Sequence, residues 1–442
     1  MSDAGSMRPD AIAPLETAAD VLAACDTLAA ISRSDSGIDR RYLTPEHAAA
    51  NATTAGWLKA AGLQSWQDGA GNLWGRWCPE TLSSEREVPR LVIGSHLDSV
   101  PDAGRYDGIL GVLLGVAALT HFRQRAEESG GSRLPFALEV VGFGDEEGTR
   151  FGATLLGSHA IAGRWQPGWE IVEDEDGISL GDALERFGLS GQTAARASLQ
   201  ENPPLGYLEV HIEQGPVLEA ENLALGTVTG IAGARRFAVN FVGQAGHAGT
   251  TPMALRQDAL CAAAEWTLAV EALACDVQAG RRADMADHSL VATVGCCELR
   301  PGAVNVIPGG AALSLDIRAL DDAQRDRALD ELLNEAHRIA ARRGLTFHCE
   351  QTHAADAVAC DEGLMQAVDA GIAVTGQAPF RLPSGAGHDA MAVSHLCPVG
   401  MLFLRCERGI SHHPLEAVTE DDVAKALAAL IASIEAVATR YV

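Results

Sequence analysis

Four short stretches of the chain are apolar at nearly every position: "RLVIGSH" near 90–96, "FALEVVGFG" near 136–144, "YLEVHIE" near 207–213 and "VGMLFLR" near 399–405. A strand with one wet face alternates apolar and polar residues. Uninterrupted runs of this kind predict strands covered on both sides, as in a parallel sheet under helices. Stretches rich in Ala and Leu at 15–32, at 109–126 and in the closing "DDVAKALAALIASIEAVATRYV" predict the covering helices, an α/β pattern. The most apolar run, "ILGVLLGVAAL" at 109–119, falls short of the roughly 18 residues that a membrane helix needs and predicts a buried helix.

The middle of the chain has a different pattern. "RRFAVNFVGQAGHAG" at 235–249, "LVATVGCCELRP" at 290–301 and "AALSLDIRAL" at 311–320 predict an antiparallel sheet, accompanied by helices near 256–276 and 321–343. Strands and helices in this order predict an α+β unit at 230–350, inserted into a larger domain made of 1–229 and 351–442. No internal repeat or low-complexity tract interrupts the pattern beyond alanine-rich helices.

Each of the four apolar strands runs into a polar cluster. His96 and Asp98 follow the first, Asp145, Glu146 and Glu147 the second; His211 and Glu213 end the third, and Ser411, His412 and His413 follow the fourth. Ligands of open α/β sheets bind outside the carboxyl ends of the strands, so these clusters are expected to converge despite their separation in sequence. Taken alone, "GDEEG" reads as a solvated acidic turn and His96 as a turn histidine; four such strand ends together favour a site. The neighbouring side chains of Glu146 and Glu147 point in different directions at a strand end, so one can bind a metal while the other acts as a base. Histidines and carboxylates without a cysteine pair suit zinc, manganese, cobalt or nickel better than calcium or an iron–sulfur cluster. A pair of ions sharing one carboxylate would position water and polarise a carbonyl.

Composition narrows the partners. The 442 residues carry a formal charge of −26, which argues against nucleic acid and anionic membranes, since both need basic surface. An anionic small molecule remains compatible, provided arginine, histidine or metal reverses the field locally. The opening "MSDAGSMRPDAIAP" lacks the order of a secretion signal. Ten cysteines without a CxxC pair predict reduced, mostly buried thiols and a cytoplasmic protein.

Six motifs in order, "GSHLDSVPDAGRYDG", "GDEEGTRFG", "HIEQGPVLE", "GQAGHAGTTPM", "SGAGHDAMA" and "GISHHPLE", closely resemble those of the hydantoinase/carbamoylase amidohydrolases. That family lies within the superfamily of dinuclear zinc aminoacylases and carboxypeptidases. The resemblance spans residues 94 to 416 and implies a catalytic domain with a mostly parallel, helix-covered sheet and a smaller inserted dimerisation or lid domain. It implies two divalent metal ions: His96 on one, Asp107 bridging both, Glu147 and His211 on separate ions, and His412 completing the set. His413 is taken as a neighbour. Asp98 would hydrogen-bond His96 and fix its orientation, and Glu146 would be the general base. A histidine at position 211, where many related peptidases carry an acid, favours the carbamoylase branch.

The resemblance also assigns substrate contacts. Taken singly, His247, Asn305 and Arg318 read as a core histidine, a turn asparagine and a surface arginine. In similar enzymes the matching residues reach the active site, some from the partner subunit of a homodimer. There His247 and Asn305 would stabilise the oxyanion or orient the substrate, and Arg318 would clamp its carboxylate. Gln214 and His388 would add polar contacts. The implied reaction is hydrolysis of a terminal ureido group on a small carboxylic acid, either allantoate or an N-carbamoyl-L-amino acid, with release of ammonia. The segment "MLFLRCERGISHHPLE" leans toward the allantoate enzymes, although chemistry explains neither Arg405 nor Cys406. Alternatives are an aminoacylase or dipeptidase of the same superfamily and a catalytically silent metal-binding protein. The second would require a missing base or ligand, and every inferred position is filled.

Overall fold

Strands β1 (Gln64–Gln67), β2 (Leu73–Trp77), β3 (Arg90–His96), β4 (Ala137–Phe143), β5 (Gly206–Ile212) and β6 (Leu225–Ile231) form, with Val399–Leu404, most of the larger sheet of this computed structural model. The structure describes residues 12–441 except 36, 83–87 and 133. The opening stretch read for a secretion signal lies almost wholly outside them. The strand order is β1-β2-β4-β3-β5, then Val399–Leu404, then β6. The four strands read from the apolar runs are its parallel centre, β4-β3-β5 with Val399–Leu404. Every residue of β3, β4 and β5 is buried, which is why their sequences do not alternate. β1, β2 and β6 run antiparallel at the flanks.

Two compact units emerge. The first comprises 1–229, 360–382 and 388–442, the second 230–359 and 383–387. In the first, helices α1 (Ala18–Ala29), α2 (Pro45–Ala60) and α3 (Ile109–Ser129) and the closing helix Glu420–Ala438 contribute to one apolar core. α3 lies so close to β5 that a Cβ on Gly111 would come within 1.9 Å of the Val210 carbonyl oxygen. The second unit has its own core. Strands β7 (Gly233–Val242), Gly310–Ala319 and Thr346–Ala355 pair antiparallel, and the strict alternation of burial along Gly310–Ala319 marks one covered face. Helices Ala259–Gln278 and Asp322–Arg343 supply Trp266, Val270, Leu332 and Ile339 to that core.

Two expectations change. The sequence places the return to the larger domain near 350, but Thr346–Ala355 continues the second unit's sheet to its end against β7. Its mostly exposed residues lack an apolar rhythm to announce a strand. All ten cysteines are free thiols, yet Cys261, Cys275, Cys296, Cys297 and Cys349 are exposed rather than buried. Among the described residues no helix is long and apolar enough to cross a membrane.

One core histidine makes folding pH-dependent. His47, in the first turn of α2, is wholly buried, accepts the Leu43 N–H at 3.1 Å and stacks on Phe187. Burial, with the Arg40 charge adding to it, pushes its pKa down to about 3, against about 6.5 in an unfolded chain. Between these values the unfolded chain binds the proton and the native one does not, so stability is lost as pH falls from 6.5 toward 3. At pH 4.5 the loss from this group is about 2–3 kcal/mol. Denaturant midpoints at pH 7 and 4.5 should therefore differ less in His47→Gln than in the parent protein.

Candidate active site

The parallel centre delivers its strand ends to one edge of the sheet, since His96 on β3 is in register with Phe143 on β4 and His211 on β5 with Phe403. His96 is buried, and its Nδ1 lies 3.0 Å from the backbone carbonyl oxygen of Asp98. Donation there leaves Nε2 aimed at Asp107 Oδ1, 3.6 Å away. Position 108 must be glycine: its φ is +73°, and a Cβ there would lie 2.4 Å from the His96 ring.

This turn corrects the role expected of Asp98. Its carboxylate is 3.7 Å from His96 Nδ1, outside hydrogen-bond range, whereas it accepts the backbone N–H groups of Glu146 and Glu147, each at 3.2 Å. The carbonyl orients the histidine and the side chain holds the acidic turn, because the chain reverses between residues 96 and 98.

Asp107 is the centre of the cluster. Its Oδ1 faces His211 Nε2 at 3.1 Å as well as His96, and its Oδ2 faces His412 Nε2 at 3.2 Å. Glu147 Oε1 lies 3.5 Å from the same His412 nitrogen. The Nδ1 of His211 meets the Ile212 carbonyl oxygen at 2.9 Å, so its Nε2 also points inward. Thus His96, Asp107 and His211 form one group, and Asp107, Glu147 and His412 another, each with ligand atoms within 4.8 Å. Glu146 stands beside both, grouped with His96 and Glu147.

The electrostatics favour cations. Burial disfavours the charged imidazoles of His96 and His211, but the surrounding carboxylates together outweigh it and raise both pKa values, Asp107 foremost in each case, with Glu146, Asp98 and Glu147 adding to it at His96. The hydrogen bond to Asp107 carries His412 to about 9. Burial and the charge of Asp107 push Glu147 up to about 7, and burial, reinforced by Glu147 and opposed by His96, raises Glu146 well above the carboxylate range. These protons stand where positive charge is wanted. Two atoms bound at about 2.1 Å to one tetrahedral ion lie about 3.4 Å apart, close to the 3.1–3.6 Å spans here. The nitrogen and oxygen donors fit divalent metal ions.

Other side chains build the site, Glu416 and Glu209 without having been singled out from sequence. Ser411 donates to Asp107 Oδ2 at 2.6 Å. Glu416, buried at the end of "GISHHPLE", accepts the N–H groups of Tyr106 at 2.7 Å and Asp107 at 3.2 Å. Glu209 lies inside β5 and accepts from Ser95 Oγ at 3.1 Å and Ala390 N–H at 2.9 Å. A glutamate in a strand buried on both faces is costly unless it is bonded, and that signal was available in "YLEVHIE". Glu213 instead caps the turn after β5, accepting from Val217 and Leu218.

Two residues expected to contact substrate have neighbours within the cluster. His388 is buried and packs edge-on against His211, 4.5 Å between ring centroids. Gln214 donates to Asp107 Oδ2 at 2.8 Å. His413 points elsewhere, its Nδ1 accepting the Leu415 N–H at 3.1 Å. Arg405, unexplained by sequence, forms a forked pair with the Asp422 carboxylate at 2.8–3.1 Å, and Cys406 is buried. Arg405 and Cys406 of the "LFLRC" segment therefore have structural places.

His247, Asn305 and Arg318 belong to the second unit. His247 and Asn305 sit together on a two-stranded ribbon, where the Ala248 N–H bonds the Asn305 carbonyl oxygen at 3.0 Å. His247 Nδ1 accepts the Gly249 N–H at 3.0 Å, which leaves Nε2 as the ring nitrogen able to donate. The Asp316 carboxylate holds Arg318 Nε and Nη2 at 2.8 and 2.9 Å, and Arg318 Nη1 donates to Gly385 at 2.7 Å. One N–H on each terminal nitrogen of Arg318 is left for another acceptor.

Residues 92–436 match the model of peptidase family M20/M25/M40. The allantoate deiminase of Arabidopsis thaliana is 40% identical over 435 residues, covering 94% of this chain and 82% of the relative. The N-carbamoyl-L-amino acid amidohydrolase of Geobacillus stearothermophilus is 37% identical over 388 residues, covering 88% and 90%. A hydantoinase/carbamoylase family amidase from Burkholderia multivorans superposes with a TM-score of 0.85 at 32% identity, covering 95% of this chain and 98% of its own.

Proposed function

Because the chain belongs to peptidase family M20/M25/M40, and within it to the hydantoinase/carbamoylase amidohydrolases, we propose that it hydrolyses the terminal ureido C–N bond of a small carboxylic acid. The substrate is allantoate or an N-carbamoyl-L-amino acid. The observation that carries this reading is Asp107 set between a His96–His211 pair and a Glu147–His412 pair, with Glu146 alongside. The histidine at 211 favours the carbamoylase branch over the peptidases. Two divalent ions held by these residues, zinc or manganese with cobalt or nickel also accepted, would activate water and polarise the ureido carbonyl.

The chain's own groups do the rest. Glu146 takes the proton of the attacking water and returns it to the leaving nitrogen, so that ammonia departs. The carbamate left behind loses carbon dioxide where it decomposes. His247, with Nε2–H as donor, and Asn305 steady the oxyanion. Arg318, pre-oriented by Asp316, takes the substrate carboxylate on its outer edge and supplies the positive field that the chain's −26 charge otherwise denies. A homodimer fits the ribbon that bears His247 and Asn305, since Met253, Leu255 and Val304 nearby in sequence are exposed and a second copy would cover them. Ten free thiols fit a reducing compartment, the cytoplasm.

Ammonia release from allantoate and N-carbamoyl-L-amino acids, measured beside release of free amino acid from dipeptides and N-acyl amino acids, tests the assignment; turnover confined to the last two classes would replace it with a peptidase or aminoacylase. Arg318→Gln should fold normally and lose about 30- to 1000-fold in kcat/KM, mainly through KM, since charge-assisted hydrogen bonds contribute about 1.5–3 kcal/mol each. An unchanged KM would remove Arg318 from substrate binding.

A further inference from the structure

The turn that carries His96 and Asp98 is held by a buried cation with no part in the chemistry above. Arg40 is fully buried. Its Nε donates to the Leu97 carbonyl at 2.7 Å, and its Nη1 donates to the carbonyls of Leu28 at 2.7 Å and Ile31 at 3.0 Å, at the C-terminal end of α1. Nη2 is buried without a hydrogen-bond partner among the described residues. The backbone joins in: Arg40 N–H donates to Ser99 Oγ, and Ser99 N–H to the Arg40 carbonyl, both at 3.0 Å. The groups that act on its charge are Asp98, Cys25 and His47.

A guanidinium in the interior costs several kcal/mol unless its surroundings compensate, and here it is bonded to carbonyls rather than to a carboxylate. Those carbonyls are informative. Leu97 lies between the predicted ligand His96 and Asp98, whose carbonyl orients His96 and whose carboxylate holds the amides of Glu146 and Glu147. Arg40 therefore fastens to α1 the segment through which two ligands and the base are placed.

We propose that Arg40 is a positioning residue: it locks residues 97–99 so that Asp98 sets His96, Glu146 and Glu147 in register for the metal ions and the reaction. This rests on the metal-site reading above. The test compares the parent protein with Arg40→Met, Arg40→Lys and Val21→Ala, the last a buried α1 residue away from the turn. Calorimetric titration with Mn²⁺ or Zn²⁺, thermal midpoints, and kcat and KM are read for each.

Arg40→Met should bind at least one ion about 10- to 100-fold more weakly and lose kcat by a similar factor, with KM within about threefold. Arg40→Lys should recover part of both. Val21→Ala should lower the thermal midpoint and leave metal affinity and kcat unchanged. A destabilised Arg40→Met with parental metal affinity and kcat would reduce Arg40 to a structural residue and overturn the proposal. Should Arg40→Met fail to fold, Ser99→Ala decides: weakened ion binding supports the proposal and unchanged binding refutes it. A parent protein that binds no divalent ion would instead refute the metal-site reading itself.

Discussion

Glu146→Gln should bind two divalent ions as tightly as the parent protein while losing about a hundred- to ten-thousand-fold in kcat, the usual contribution of a positioned general base. The substitution is nearly isosteric, and it spares the Glu146 N–H that bonds Asp98. Asp107, Glu147 and the three histidines keep their positions, so ion binding has no reason to fall. An amide cannot accept the proton of the attacking water or return it to the leaving nitrogen. Measuring ion affinity and kcat on one preparation separates the two effects. Parental turnover would mean that another group is the base, and joint loss of affinity and turnover would make Glu146 a ligand.

Asp107→Asn should be more severe. The two carboxylate oxygens face opposite sides of the cluster, Oδ1 toward His96 and His211 and Oδ2 toward His412. Ser411 and Gln214 already donate to Oδ2. An asparagine offers one acceptor and an NH₂ group, so whichever way it turns, one side meets a donor where it needs an acceptor. Occupancy of both ions should collapse, and activity with it. In the parent protein, ions at 100 to 1000 times their dissociation constant should add about 2.7–4.1 kcal/mol of stability, removable by chelation. The variant's thermal midpoint should be indifferent to added metal or chelator, and a midpoint that still responds would place the bridge elsewhere.

How much of this was legible follows from how each feature is encoded. The parallel centre of the sheet was, because strands buried on both faces must be apolar throughout. So was the polar edge, because histidines and acids at four strand ends have no role in a core. His96, Asp107, Glu147, His211 and His412 were named from motifs and come together. Strand Thr346–Ala355 was not legible, since pairing along β7 needs backbone rather than apolar side chains, and most of its residues are exposed. Glu416 and Arg40 were missed for a related reason: both act on backbone groups far away in sequence.

By itself, then, the sequence determined the sheet type, the inserted unit and the histidines and carboxylates that gather at the strand ends, all consequences of residue type and order. The tertiary structure alone decided which atom of Asp98 meets His96, that His388 packs edge-on against His211, that Gln214 donates to Asp107, and that Arg405 pairs with Asp422. These are choices among neighbouring acceptors of one residue, 3.0 against 3.7 Å from the His96 ring, or among partners far apart in sequence. The direction and register of packed elements settle them, and no local pattern of residues records either.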